Sequence, residues 1–557
     1  MTKKKPPQLS TILVRIDRYI RTYNYIGLVF AVIFFCFSLL PSLLPRSWFF
    51  QGLVSGVSLA IGYGLGVLCS FVLRWLFERD VLVRGKKLAW WLLYIVGSLL
   101  IIMFLTLGDI WQNQLRALVE VPAVEGQYIV LVFALAVVVG IGCVKLGRSV
   151  GRLYHWLLTK IDRVMPRRIS IALSFVLVTL FVTWVVSGAF LNFLGAISGL
   201  AYNHKNNSTP PGVSQPAEAT RSGSSHSQAV WDTLGYQGKK FVANGPSQEE
   251  LKNFSGQQPK QPIRVYVGVK SAPDAYARAN LAVKELERTK AFQRKVLVIA
   301  VPTGTGWLNA QSVDALEYMY GGDSAIVAQQ YSYLPSWISF LVDKQKAQET
   351  GRVLYDAVYA KWAALPQTER PKLLVYGLSL GAFGGQAAFS GPSAMVNGAD
   401  GVLWQGAPGD TALWQEVTRR RDPGSPEWQP VIDGGSAIRF ASQNQDITKG
   451  RSSWGAHRVL YMQHGSDPIV WFNLNLPLHK PDWVSEDRAP DVMKNTHWVP
   501  FVTFLQLAAD QVVGMNVPRN YGHNYETTVA SAWAAVAQPG DWTQAKSDKL
   551  QAIINKY

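Results

Sequence analysis

The sequence predicts two architectures in one chain. An α-helical transmembrane domain of five spans occupies residues 1–200, and an α/β domain with a mainly parallel sheet occupies residues 261–557. Three observations predict this. Five long apolar runs without charged side chains crowd the first third, short apolar runs alternate with helical patterns in the rest, and a polar stretch at 201–260 separates the two. Composition agrees: charged residues make up 16% of the chain and apolar residues 48%. Soluble proteins carry roughly 25% charged residues. Intrinsic disorder is excluded, because it needs low hydrophobicity and high charge.

The five runs are Ile26–Leu44, Gly52–Leu73, Leu88–Leu107, Tyr128–Val144 and Ser170–Phe193. About 20 apolar residues cross the ~30 Å hydrocarbon layer as a helix, which satisfies its own backbone hydrogen bonds there. Buried core helices are the plainer alternative, but so many in 200 residues argue against it. A cleavable signal peptide fits poorly, because Pro41-Ser42-Leu43-Leu44-Pro45-Arg46 follows the first run in place of a small-x-small site. The spans contain no Asp, Glu, Lys, Arg or His, which argues against an ion-coupled transporter. The G-x-x-x-G spacings Gly52/Gly56 and Gly62/Gly66, with Gly64 between, predict close helix packing. Cys36, Cys69 and Cys143 all lie in spans, so the C-terminal domain has no disulfide and no thiol nucleophile.

Basic residues alternate between the loops. Lys3, Lys4, Lys5, Arg15, Arg18 and Arg21 precede the first run, and the next loop has only Arg46. Arg74, Arg79, Arg84, Lys86 and Lys87 follow, then only Arg116, then Lys145, Arg148, Arg152, Lys160, Arg163, Arg167 and Arg168. Lys and Arg beside spans stay cytoplasmic. This predicts a cytoplasmic (inner) membrane protein with its N-terminus inside and its C-terminal domain extracytoplasmic. The first outer loop, with Arg46 and Trp48, is then placed at the outer surface to help present a lipid. Residues 1–200 hold 20 basic against 7 acidic residues, whereas the rest hold 34 against 30. The net charge of +17 is therefore mostly a topology signal, and no nucleic-acid footprint is needed to explain it.

Residues 203–227 are rich in Asn, Ser, Thr, Pro and Gly and read as a flexible tether. Beyond it the predicted strands are Ile263–Val269, Lys295–Val301, Ala325–Tyr331, Lys372–Tyr376, Gly401–Gln405 and Arg458–Gln463. The predicted helices are Ala275–Phe292, Asn309–Tyr320, Ala347–Leu365 and Leu380–Phe389. Such alternation implies a mainly parallel sheet with helices on both faces.

The sharpest motif is Gly377-Leu378-Ser379-Leu380-Gly381, between an apolar strand and a small-residue helix. A G-x-S-x-G at that junction is the nucleophile elbow of an α/β-hydrolase fold. The serine sits on a strained turn, and side chains two positions either side would clash. A glycine-rich connection in an inactive domain is the bland alternative. The nucleophile needs a base and an orienting carboxylate, which in this fold follow in the order Ser, acid, His. Asp467 lies just past the last predicted strand, where the acid belongs. His464 precedes it and reads as structural. His523, in the loop Asn520-Tyr521-Gly522-His523-Asn524-Tyr525, is the expected base, in preference to His479 and His497 in Pro- and Trp-rich stretches. The oxyanion hole is expected from the Leu380 N–H and a backbone N–H within Thr303–Trp307, with Thr303, Gly304 and Thr305 as candidates. Residues 406–457 are long enough for a substrate-covering cap, and their Arg419-Arg420-Arg421 run reads first as a solvated face.

The chain resembles a family of bacterial membrane proteins with an N-terminal multi-span domain and a C-terminal α/β-hydrolase domain. The resemblance rests on Ser42-Leu43-Leu44-Pro45-Arg46-Ser47-Trp48, Gln51-Gly52, Gly62-Tyr63-Gly64 and Tyr331-Ser332-Tyr333-Leu334-Pro335-Ser336-Trp337. It continues through Arg421–Trp428, Ser466–Trp471 and Gly522-His523. It implies a serine-hydrolase site on Ser379, Asp467 and His523, and supplies no substrate. The expected function is a membrane-anchored esterase- or lipase-like serine hydrolase, acting on lipid or envelope acyl esters without cofactor or metal. An acyltransferase with the same triad and a non-catalytic envelope-assembly protein with a vestigial domain are the alternatives.

Overall fold

The computed structural model describes residues 17–77, 86–123, 126–185, 188 and 202–556. Lys3, Lys4, Lys5, Arg15, Arg79 and Arg84 lie outside the described residues, as do positions 186, 187 and 189–193 of the fifth apolar run. The chain forms two compact units. The first runs to Phe181 and takes in Leu474–Val484 and Val492–Val513; the second holds the rest.

The first unit is helical: α1 (Tyr25–Ser38), α2 (Trp48–Phe77), α3 (Lys86–Leu118), α4 (Tyr128–Ile161) and α5 (Arg167–Thr183). Among the described residues three helices, α2, α3 and α4, are long and apolar enough to cross a membrane. The expectation of five spans is corrected accordingly. α1 has 14 residues, about 21 Å at 1.5 Å per residue, short of the ~30 Å layer. Pro41 and Pro45 end it early, since proline lacks an N–H and disfavours helix in the residue before it. α5 has 17 described residues.

The break between α1 and α2 is buried, and side chains satisfy its backbone. Gln51 Nε2 donates to Ser38 O at 2.9 Å, and Gln506 Nε2 donates to Leu40 O at 2.9 Å. The Leu43 and Leu44 N–H groups point to Asp510 Oδ2 at 3.2 and 3.4 Å, and the Ser42 hydroxyl donates to the same oxygen. Arg46 Nε lies 3.0 Å from Asp510 Oδ1, with both side chains fully buried. Arg46 therefore faces no lipid, contrary to the sequence expectation; Trp48 is 40% exposed. The glycines of α2 face two neighbours. A Cβ at Gly52 or Gly56 would press on Leu135 or Val139 of α4, and one at Gly62 or Gly66 on the backbone of α1, while Gly64 meets open space.

The second unit is built on a seven-stranded sheet in the order β1-β3-β2-β4-β5-β7-β6. The strands are β1 (Ile263–Val267), β2 (Val296–Val301), β3 (Ser324–Gln329), β4 (Lys372–Leu378), β5 (Gly401–Gln405), β6 (Ile438–Ala441) and β7 (Arg458–Met462). Every pair is parallel. Helices cover both faces, so the strands are mostly apolar and almost wholly buried, and the interior Arg264 of β1 and Arg439 of β6 are held by the Glu317 carboxylate and the Gly435 carbonyl. The helices Ala275–Arg288, Lys344–Ala363 and Leu380–Gln386 pack together, as do Ala310–Met319, Val529–Ala537 and Gln544–Ile554. Each fully buried Val, Leu or Ile contributes about 1.5–3 kcal/mol.

Two parts of the second unit differ from the sequence reading. The supposed flexible tether packs against the sheet: Arg221 is 4% exposed, and its guanidinium donates to Val242 O at 2.6 Å and Asn244 O at 2.5 Å. The buried Glu285 carboxylate accepts from the Ser222 and Ser227 hydroxyls and the Gln228 N–H. The polar composition is real, but its groups have interior partners. The 406–457 stretch contains the edge strand β6, so part of it extends the sheet. Arg421 of its basic run is tied inward to Glu486 at 2.6 Å.

Candidate active site

Ser379 follows the central strand β4 and opens the helix Leu380–Gln386. Its backbone lies at φ 57°, ψ −124°, a conformation that costs on the order of 1–3 kcal/mol for a residue with a side chain. The flanking glycines are sterically required. A Cβ at Gly377 would lie 2.6 Å from the Gly381 and Ala382 backbone, and one at Gly381 would overlap the Val301 carbonyl at the end of β2. Ser379 N–H donates to Gln405 O, where β5 ends, at 2.8 Å.

Asp467 lies in the loop after β7 and is fully buried. His523, 3% exposed, lies in the loop ahead of Val529–Ala537. The structure brings these two together: His523 Nδ1 is 2.7 Å from Asp467 Oδ2. With the carboxylate ionised, Nδ1 carries the proton and Nε2 presents its lone pair. Nε2 is buried and has no hydrogen-bond partner among the described residues. Gly406, directly after β5 at φ 54°, packs so closely on the imidazole that a Cβ there would overlap Cε1, the carbon between the two nitrogens. Adjacent residues thus brace the two sides of the site, Gln405 the serine backbone and Gly406 the histidine ring. A hydroxyl on a strained elbow, an imidazole with a free nitrogen and a buried carboxylate are the parts that nucleophilic acyl chemistry needs.

The turn after β2 narrows the expected oxyanion donors. Thr303 N–H is committed to Trp307 O at 3.0 Å, and Gly306 N–H to Thr303 O at 2.9 Å. The Gly304, Thr305 and Leu380 N–H groups have no acceptor among the described residues. Gly304 has no room for a side chain, since its Cβ would meet Leu334 O and Ser339 Cβ at 2.8 Å. The Tyr331–Trp337 motif is thus partly explained as the wall behind this turn. Tyr331 itself packs with Leu380 and Phe383.

His464 is engaged by the loop that carries the base. Its Nδ1 lies 2.9 Å from Gly522 O and its ring stacks on Tyr525. His479 and His497 are exposed. Sequence reasoning missed two groups around the acid. Tyr525 donates its hydroxyl hydrogen to Asp467 Oδ2 at 2.5 Å. Asp491 accepts from the Ser466 hydroxyl at 2.6 Å, and Ser466 Oγ in turn accepts from the N–H of Gly522, next to His523. The only available signal was proximity, Tyr525 lying two residues after the histidine and Ser466 one before the acid.

Comparison with known proteins adds the family. Residues 263–550 match the alpha/beta-hydrolase family, and residues 39–246 match the N-terminus described for the alpha/beta-hydrolase family. No curated protein and no solved structure matches the chain. More than half of the residues fall within the first of these matches, and the parallel sheet with Ser379 at the end of its central strand is the fold it describes. The protein belongs to the alpha/beta-hydrolase family.

Proposed function

We propose that the protein is a serine hydrolase that cleaves acyl esters, held at a membrane by its first unit. The observation that carries this reading is the elbow serine at the end of β4 together with a buried His523–Asp467 pair, the acid in the loop after β7 and the base in the loop ahead of Val529–Ala537. In this reading Ser379 Oγ attacks the acyl carbon and its proton passes to His523 Nε2. Asp467 holds the Nδ1–H and stabilises the imidazolium. The tetrahedral oxyanion faces the Leu380 N–H and the N–H of Gly304 or Thr305. Collapse expels the alcohol, which takes the proton back from His523. Water, deprotonated by the same nitrogen, then clears the acyl-enzyme and leaves acid and alcohol as products.

Proximity to a bilayer favours lipid or envelope esters as substrates. The burial of Ser379 (7% exposed) and His523 (3%) also suits acyl transfer to a sugar or lipid hydroxyl, because both limit water at the acyl-enzyme. The deciding experiment is fluorophosphonate labelling of the full-length protein in detergent. The wild type is expected to label and Ser379→Ala is not. An unlabelled, folded wild type would reject the enzymatic reading, and product analysis with an added alcohol separates transfer from hydrolysis.

A further inference from the structure

We propose that Tyr525 is a positioning residue of this site, acting through Asp467 to set how readily the His523 imidazole takes up a proton. The proposal rests on the reading of Ser379, Asp467 and His523 as a triad.

The geometry leaves the tyrosine hydroxyl little choice. The His464 backbone N–H donates to it at 3.3 Å, and its own hydrogen goes to Asp467 Oδ2 at 2.5 Å. That oxygen also receives the His523 Nδ1–H at 2.7 Å, while Oδ1 receives the Ile469 N–H at 2.9 Å. Two donors therefore share one carboxylate oxygen inside a fully buried site. A hydrogen bond to a charged group is worth about 1.5–3 kcal/mol, and charge engaged by the phenol is withdrawn from the imidazolium that forms during turnover. The ring is also fixed, stacked on His464 with centroids 4.4 Å apart and edge-on to His523 at 5.7 Å. Its phenol is held well above the usual tyrosine range, first by burial and then by the Asp467 charge, so it remains a donor throughout the working pH range.

The other titratable groups facing the cluster are His464, on the turn after β7, and Asp491, which acts behind the Ser466 hydroxyl. Glu526 of the same loop is engaged by Arg519 at 3.1 Å. None of these donates to Asp467 Oδ2 among the described residues, which leaves Tyr525 and His523 as its two side-chain partners.

The test is the pH profile of fluorophosphonate labelling at Ser379, measured on full-length protein in detergent with thermal midpoints recorded in parallel. In Tyr525→Phe the carboxylate loses one donor, the imidazolium gains stabilisation, and the acidic limb moves up by about 0.5–1 pH. Incorporating 3-fluorotyrosine at 525, a stronger donor of nearly the same size, moves the limb down and covers the case of a phenylalanine variant that does not fold. In an Asp467→Asn background the Tyr525→Phe effect on rate disappears, because the residue acts through that carboxylate. A limb unmoved by both folded Tyr525 variants overturns the assignment while leaving the triad standing. A folded wild type without Ser379-dependent labelling overturns the triad and, with it, this role for Tyr525.

Discussion

A methyl group at position 406 would overlap the His523 ring, and the local φ of 54° already disfavours any side chain. Gly406→Ala is therefore expected to displace the imidazole and lower the rate of Ser379 labelling at least about tenfold, since a barrier increase of only 1.4 kcal/mol does that. An unchanged labelling rate in a folded variant would mean that the ring has room to yield. At this scale the sequence was informative wherever chemistry constrains residue type. Ser379 was legible because the elbow admits only glycine at 377 and 381, and Asp467 and His523 because chain order and loop position single them out. Tyr525 and Gly406 were not legible. Their roles depend on which atoms the fold brings against Asp467 and His523, and neither belongs to a short pattern. Thr303 was a reasonable candidate donor until its N–H proved to close the turn onto Trp307.

Short elements strayed furthest from expectation. The apolar pattern of Ile26–Leu44 continues past Ser38, but the helix does not, because the prolines stop it and polar side chains distant in sequence take over its backbone groups. The Ser42–Trp48 motif becomes intelligible here: Ser42, two N–H groups and Arg46 converge on Asp510. Removing one member of such a buried pair leaves an uncompensated charge, at a cost of about 3–5 kcal/mol. Arg46→Leu and Asp510→Leu should each destabilise the detergent-solubilised protein by that order, and the double variant by clearly less than their sum. Additive losses in unfolding measurements would contradict the pairing. Strand β6 escaped notice because Arg439 interrupts its four residues. That guanidinium is accommodated by the Gly435, Ile447 and Ser452 carbonyls and lies 4.5 Å over the Trp454 ring, arrangements invisible in a linear pattern.

For the whole molecule, the side on which the serine works turns on one segment. The basic residues Arg74 and Lys87 flank the α2–α3 connection, and Lys145 to Arg168 lie along and after the end of α4. If basic loops stay inside, α4 ends inside, and the second unit reaches the outer face only when the Ser170–Phe193 run crosses as well. That run carries no charged residue over its length, which suits a crossing in addition to the three helices that are long and apolar enough among the described residues. Protease added to intact spheroplasts should then digest the second unit while sparing it in inverted vesicles; the reverse pattern would place Ser379 in the cytoplasm.

Sequence alone indicated six of the seven strands in chain order, the parallel α/β class, and Ser379, Asp467 and His523 as candidate site residues, because periodicity, elbow sterics and chain order are local constraints. Tertiary structure decided what depends on distant partners. Polar residues at 203–227 pack inside because Glu285 and backbone carbonyls receive them. Leu474–Val484 and Val492–Val513, which lie between the acid and the base in sequence, fold with the helical unit. Asp510 and Gln506 take up the backbone groups left where Pro41 and Pro45 end helix α1. A linear pattern records which groups need burial or a partner; only the folded chain determines which partner each one finds.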